Sequence, residues 1–150
     1  MKKKLFLVLF VLFGINTIAQ EKSEISPGQL PAEVKAKFEK DFPTAHLMNL
    51  EKEGGNYEMT FKVDNVNMSA VYDIKGNRKE VEKEIEESTL PPSVFDYIKK
   101  NYSGYKLKSS SQLMTDKAVK TYEVEITKDN KVVSLIFDAS GKFKKKEKSE

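Results

Sequence analysis

A chain of 150 residues has room for one ordinary domain or two small repeats, and excludes a large multidomain enzyme. It carries 26 Lys+Arg against 23 Asp+Glu, but Lys2, Lys3 and Lys4 sit in a leader-like start; without them the count is 23 against 23, and a neutral chain lacks the basic excess that general nucleic-acid binding needs. Zero cysteines exclude disulfides, thiolate metal sites and Cys nucleophiles, and a single histidine excludes any site that needs two imidazoles.

Residues 1–19 have the three-part form of a secretory signal peptide. A charged start leads into the apolar run Leu5–Phe13, and Thr17-Ile18-Ala19 offers small residues for cleavage near Ala19/Gln20. The apolar stretch is shorter than the roughly 20 residues needed to span a bilayer, so no membrane span is expected in the mature chain. The expected location is outside the cytoplasm, periplasmic or extracellular, with the protein soluble. Residues 20–29, polar and containing Pro27-Gly28, are expected to form a flexible entry arm.

From there the sequence repeats itself. Leu30-Pro31-Ala32-Glu33-Val34 matches Leu90-Pro91-Pro92-Ser93-Val94 at a shift of 60. Further on the shift becomes 65: Tyr57-Glu58 matches Tyr122-Glu123, Asp64-Asn65 matches Asp129-Asn130, Ser69 matches Ser134, and Asp73 and Gly76 match Asp138 and Gly141. The second copy therefore holds five extra residues between Leu107 and Tyr122. Val34, Phe38 and Phe42, like Val94, Ile98 and Tyr102, recur at i, i+4, i+8, the stripe of an amphipathic helix of about three turns that starts at a proline. Pro43 and Gly104 close the helices.

The period then changes to two. Tyr57, Met59, Phe61 and Val63 alternate with polar residues, as do Tyr122, Val124 and Ile126, and the Asp-Asn pairs mark tight turns. The return strands carry Met68, Ala70 and Tyr72 in one copy and Val133, Leu135 and Phe137 in the other. Shorter strands are expected around 45–51, 78–81, 105–113 and 142–144. The predicted fold is α+β: two tandem αββββ repeats, each one helix packed on an antiparallel sheet. The first repeat spans 30–84 and the second 90–145. Residues 85–89 are read as a linker within a charged, exposed stretch, and 146–150 as a charged tail that frays.

This doubled pattern of Leu-Pro, short helix, Tyr-Glu-apolar and apolar-aromatic-Asp-x-x-Gly resembles the PepSY-like family of secreted bacterial proteins, also described as beta-lactamase-inhibitor-like. The resemblance covers roughly residues 30–144. It implies two modules side by side with their helices on one face, and extracytoplasmic domains that bind or restrain other proteins, peptidases among them. It carries over no catalytic residue set. The first copy departs from the pattern at Asn77-Arg78, where the second has Phe143 after its turn.

Several residues could carry chemistry. His46 is expected to be partly exposed and has no nucleophile-elbow motif near it. Asp73 and Asp138 lack the alternating oxygen ligands of a calcium loop and are read as turn caps. Glu58 and Glu123, at equivalent strand positions, could serve as a carboxylate pair for glycoside hydrolysis, but are read as solvated strand residues. Lys144, Lys145, Lys146 and Lys148, interleaved with Glu147 and Glu150, read as a solvated run rather than an anion-binding patch.

The recognition surface is placed on the sheet face opposite the helices, which is expected to be open. Its residues are Met48, Glu58, Thr60, Ser69, Val71, Glu123, Glu125, Val132, Ser134 and Ile136. The longer excursion 109–120 of the second copy would flank it. The expected function is a secreted, non-enzymatic binding or inhibitory module that engages a protein or peptide in the cell envelope, without cofactor or metal. Two alternatives stand beside it: a binder of small ligands or surface polymers that uses aromatic platforms, and a hydrolase using Glu58 and Glu123 or His46.

Overall fold

The computed structural model describes residues 22–148, so the signal-peptide segment lies outside the described residues. Two helices, α1 (Ala32–Asp41) and α2 (Pro92–Asn101), pack on one nine-stranded antiparallel sheet. Its strands are β1 (Ser23–Glu24), β2 (His46–Glu53), β3 (Asn56–Val63), β4 (Val66–Asp73), β5 (Arg78–Glu84), β6 (Lys106–Thr115), β7 (Lys120–Lys128), β8 (Lys131–Asp138) and β9 (Phe143–Lys148). They lie in the sheet in chain order, and each neighbour pair is antiparallel.

Each repeat is the expected αββββ unit. Pro31 and Pro91 stand at the N-cap, one position before the helices rather than inside the first turn. Asp64 and Asn65, like Asp129 and Asn130, adopt positive φ between 48° and 65°, the backbone of a two-residue hairpin turn whose twist matches the strands. Asp73 and Asp138 cap their own turns: each Oδ1 accepts from the backbone N–H groups two and four residues on. The glycine that ends each turn lies against the start of its helix. A Cβ on Gly141, at φ +81°, would come within 2.7 Å of Pro91 Cβ, so only glycine suits both the conformation and the space.

Alternation drives one set of side chains under each helix. Val34 and Phe38 of α1 meet Leu50, Tyr57, Met59, Phe61, Ala70 and Tyr72, while Leu90 and Val94 meet Tyr122, Val124, Ile126, Val133, Leu135 and Phe137. These two cores share one sheet and are joined by the β5–β6 seam, paired from Glu80↔Thr115 to Glu84↔Ser111. The five extra residues of the second copy extend β6 to Thr115 and bury Leu113.

Three expectations about the ends of the repeats change. The entry arm is not wholly free: Ser23 and Glu24 pair with Lys52 and Glu51, and Pro27–Gln29 forms a turn of 3-10 helix. β5 runs on to Glu84, and Glu82 is buried rather than exposed, because it alternates inward between Val81 and Lys83. The lysine-rich end is paired rather than frayed, since β9 continues against β8 as far as Lys148.

Candidate functional site

Register fixes what lies on the face without helices. One row runs Glu51, Glu58, Val71, Glu80, Thr115 across β2 to β6; the next runs Asn49, Thr60, Ser69, Glu82, Leu113. In the second repeat Glu123, Ile136 and Lys145 align, with Glu125, Ser134 and Glu147 beside them. Ten residues were expected on this face or at its margin, and nine share it: Glu58, Thr60, Ser69, Val71, Glu123, Glu125, Val132, Ser134 and Ile136. Met48 is the extra residue of a bulge between Leu47 and Asn49 and is 59% exposed.

The face is not open. Val71 is 1% and Ile136 3% exposed, and Ser69 and Ser134 are buried as well, while Thr60, Glu125 and Val132 are half-buried. Curvature of the sheet is the cause. In a flat sheet β5 and β9 would stand about 19 Å apart, four steps of about 4.8 Å. Yet Val71, Glu82, Ser134 and Ile136 are buried on a face that no other described element covers, and the Glu147 charge on β9 raises the pKa of Glu80 on β5. The strands curl toward one another, and their inward side chains cover each other. A lysine at Val71 or Ile136 would therefore enter an interior, and could not test surface recognition without disturbing the fold.

The same curl overturns the reading of Glu58 and Glu123 as solvated strand residues. They are 3% and 4% exposed, with Glu82 at 2%. Burial, together with like charges on the same face of the sheet, pushes Glu80 and Glu123 up to about 7, and raises Glu58 and Glu82 too. Two lysines reach into the group: Lys22 approaches Glu51 and Glu58, and Lys145 pairs with Glu147. Ser134 Oγ donates to Glu123 Oε1, while Glu58 Oε1, Glu82 Oε2, Glu123 Oε2 and Glu147 Oε2 receive no hydrogen bond from the protein. At the rim of the second repeat, Glu125 Oε2 accepts from Lys108 Nζ at 2.9 Å and from Ser109 Oγ at 2.8 Å.

Sequence reasoning missed Glu80, Glu82, Glu147 and Lys22. The available signal was the period-two run Glu80-Val81-Glu82, which continues the inward phase of Glu58 through β4 into the end of the first repeat, a stretch read as charged and exposed.

The other candidates are accounted for by position. His46 is exposed at the start of β2. Tyr57, Tyr72 and Tyr122 are core residues, and Tyr97, Tyr102 and Tyr105 pack against the second core, so all six tyrosines of the chain lie on the helix side. Two clefts also lie on that side. One of about 490 Å³ has Asp41, Arg78, Met114 and Asp116 in its lining; the other, about 470 Å³, is lined by Leu30, Phe38, Phe42 and Leu47 among others. Neither contains His46, Glu58 or Glu123. Among the described residues, no helix is long and apolar enough to cross a membrane, and no group of three or more Asp, Glu or His side chains could hold a metal ion.

A doubled helix-on-sheet chain with one continuous curled sheet defines an inhibitor-like tandem architecture. The chain belongs to the family described as "Putative beta-lactamase-inhibitor-like, PepSY-like", whose model matches it twice, over residues 16–77 and 62–145. Solved structures share the fold. A DUF2874 family protein from Bacteroides uniformis is 19% identical with a TM-score of 0.69, over 78% of this chain and 88% of that one. A protein from Bacteroides eggerthii described as a "putative periplasmic" protein is 14% identical with a TM-score of 0.71, over 80% of this chain and 89% of that one. A BLIP-like protein from Bacteroides fragilis is 20% identical with a TM-score of 0.62, over 78% of this chain and 85% of that one. No curated protein matches the sequence.

Proposed function

We propose that the protein is an exported, non-enzymatic binding or inhibitory module that engages a protein or peptide of the cell envelope along the rim of its helix-free face. The observation that carries this reading is the fusion of two modules into one sheet with both helices on the same side. No other described element covers the second face, and its margins keep Met48 exposed and Thr60, Glu125 and Val132 partly so. The family's inhibitor-like description and the periplasmic description of a structural neighbour support the same reading and the same location. The polymer-binding alternative finds no tyrosine platform on the helix-free face, because every tyrosine is on the helix side.

One observation favours a carboxylate hydrolase: Glu123, pushed up to about 7, lies where a general acid would work. Against it, Glu123 is nearly inaccessible to any substrate bond, and Glu58 is covered while Lys22 holds it. The experiment is affinity capture from an envelope extract, with a rim variant, Met48→Glu with Thr60→Arg and Val132→Arg, as the control. A partner held by the wild-type protein and lost by the variant at unchanged melting temperature supports the reading. Equal capture by both removes this face, and no enriched protein removes the binding function.

A further inference from the structure

One carboxylate of the curled face is met by a side chain from outside the two repeats. Glu58 projects from the middle of β3, and Lys22, just ahead of β1, places its Nζ 3.0 Å from Glu58 Oε2 and 2.9 Å from Glu51 Oε2. The Lys22 side chain is 35% exposed and that of Glu51 21%, so this end of the acidic face reaches the surface, and Lys22 lies over it. The arm that holds Lys22 is slight. β1 is two residues long, paired on one side only, and followed by one more bond in which Ile25 N–H donates to the Leu50 carbonyl. An edge strand this short opens readily, and a partly exposed ion pair adds little to hold it shut.

Lys22 also leaves the site incompletely served. Glu58 Oε1 is buried and receives no hydrogen bond, and Oε2 lies within ionic distance of Lys22 without a well-aligned one. Glu53 and Glu51 add repulsive charge to Glu58, and Glu80 feels Glu58 across β4. The neighbouring Lys52 faces the other way, over the Tyr57 ring. An ammonium is a point charge on a flexible stem. A guanidinium presents five N–H donors in a planar fork, enough to serve both oxygens of Glu58 with another donor left for Glu51.

We propose that Glu51 and Glu58 form the docking point for an arginine side chain of a protein partner, and that Lys22 occupies it in cis in the free protein. This rests on the binding function above and gives its partner a chemistry: a segment with an exposed arginine and a positive local charge. The site belongs to the first repeat alone. Among the described residues no lysine acts on the equivalent Glu123, and Ser134 already donates to its Oε1.

The test is titration of the purified protein with a tri-arginine amide, followed by amide chemical shifts in NMR, with a tri-citrulline amide as the uncharged control of the same shape. The expected result is saturable shifts centred on β2 and β3 around Glu51 and Glu58, and none with citrulline. Lys22→Gln, which removes the competitor, should tighten binding about tenfold. Glu58→Gln in the Lys22→Gln background should weaken it about tenfold or more. Spectra and melting curves of each variant check that the fold is kept. Equal affinity of wild type and Lys22→Gln, survival of binding in the Glu58→Gln variant, or shifts scattered over the surface carboxylates would each overturn the proposal. If tri-arginine fails while an envelope partner is still captured in a rim-dependent way, the arginine site falls and the binding function stands.

Discussion

The two repeats solve one packing problem with different chemistry. In the second, the helix end and the last strand meet through aromatic rings: Tyr97 stacks on Phe143 at 4.4 Å with planes 10° apart, and Phe137 meets both edge-on. In the first, the positions equivalent to Asn101, Phe137 and Phe143 hold Asp41, Tyr72 and Arg78. There Tyr72 Oη donates to Asp41 Oδ2 at 2.9 Å, Arg78 pairs with the same oxygen at 3.1 Å, and its guanidinium lies 5.8 Å from the Phe42 ring centroid. Arg78 thus fills the place of the missing aromatic, which is why β5 forms despite the departure at Asn77-Arg78. One backbone accepts an apolar plug or a polar clamp, provided the volume is filled and the buried polar atoms find partners.

The two solutions differ most in how much they depend on burial. Phe143 is half-buried and touches two rings, so Phe143→Ala should cost about 2–3 kcal/mol in a denaturant melt, below the range for a fully buried ring. The Arg78 side chain is 43% exposed and its ion pair is screened by solvent, so Arg78→Ala should cost only about 0.5–1 kcal/mol, falling further in high salt. Equal costs at the two positions would break the comparison.

Much of this architecture was legible in the chain. The change of period from 3.6 to two set helices and strands, and paired Asp-Asn and Asp-x-x-Gly set the turns, because those signals are local. Which side chains share a face also followed, since alternation alone decides it. The closing of that face did not follow. Alternation places Glu58, Val71 and Ile136 opposite the helices but carries no information about the curvature of the sheet, which arises from strand twist summed over nine strands and from bulges at Leu47/Asn49, Val71/Tyr72 and their equivalents. Glu82 was read as exposed because its neighbours Lys83 and Glu84 are charged, though period two already set it on the inward side.

Glu58 and Glu123 sharpen the comparison at the next level of effect. They are equivalent residues with different company: Lys22 lies over one, and among the described residues no lysine acts on the other. Glu123 is pushed up to about 7, first by burial. A folded-state pKa raised above the unfolded value of about 4.3 means stability is fully present below that pH, declines as pH rises toward 7, and levels off above. The charged groups that act on it are Glu80, Glu125 and Glu147, all of the same sign. Glu123→Gln, which keeps the shape and removes the titration, should raise stability by about 1–2 kcal/mol at pH 8 and change little at pH 4, read by thermal melts across that range. Glu58→Gln should gain less at pH 8, because it also removes the partner of Lys22. If Glu58→Gln gained as much as Glu123→Gln, Lys22 would be doing nothing for Glu58.

An effect as small as that at Arg78 is expected at Tyr72. Burial and the Asp41 carboxylate hold its hydroxyl well above its usual pKa, so it acts as a donor at any ordinary pH. Tyr72→Phe gives the first repeat the residue that the second has at the equivalent position, Phe137, and the ring stays in a pocket that this backbone is built to fill. Asp41 keeps Arg78 and, at 27% side-chain exposure, can turn its freed lone pair to water. The cost should therefore stay near or below about 1 kcal/mol, the net value of one hydrogen bond rather than the penalty of an orphaned buried acceptor. A double-mutant cycle with Asp41→Ala isolates that bond, because alanine leaves the Tyr72 hydroxyl no acceptor at this place, and the coupling should be about 0.5–1 kcal/mol. A coupling of about 2 kcal/mol or more would mean that Asp41 is effectively cut off from solvent. The clamp of the first repeat would then be a buried polar network, and no longer exchangeable with the aromatic plug of the second.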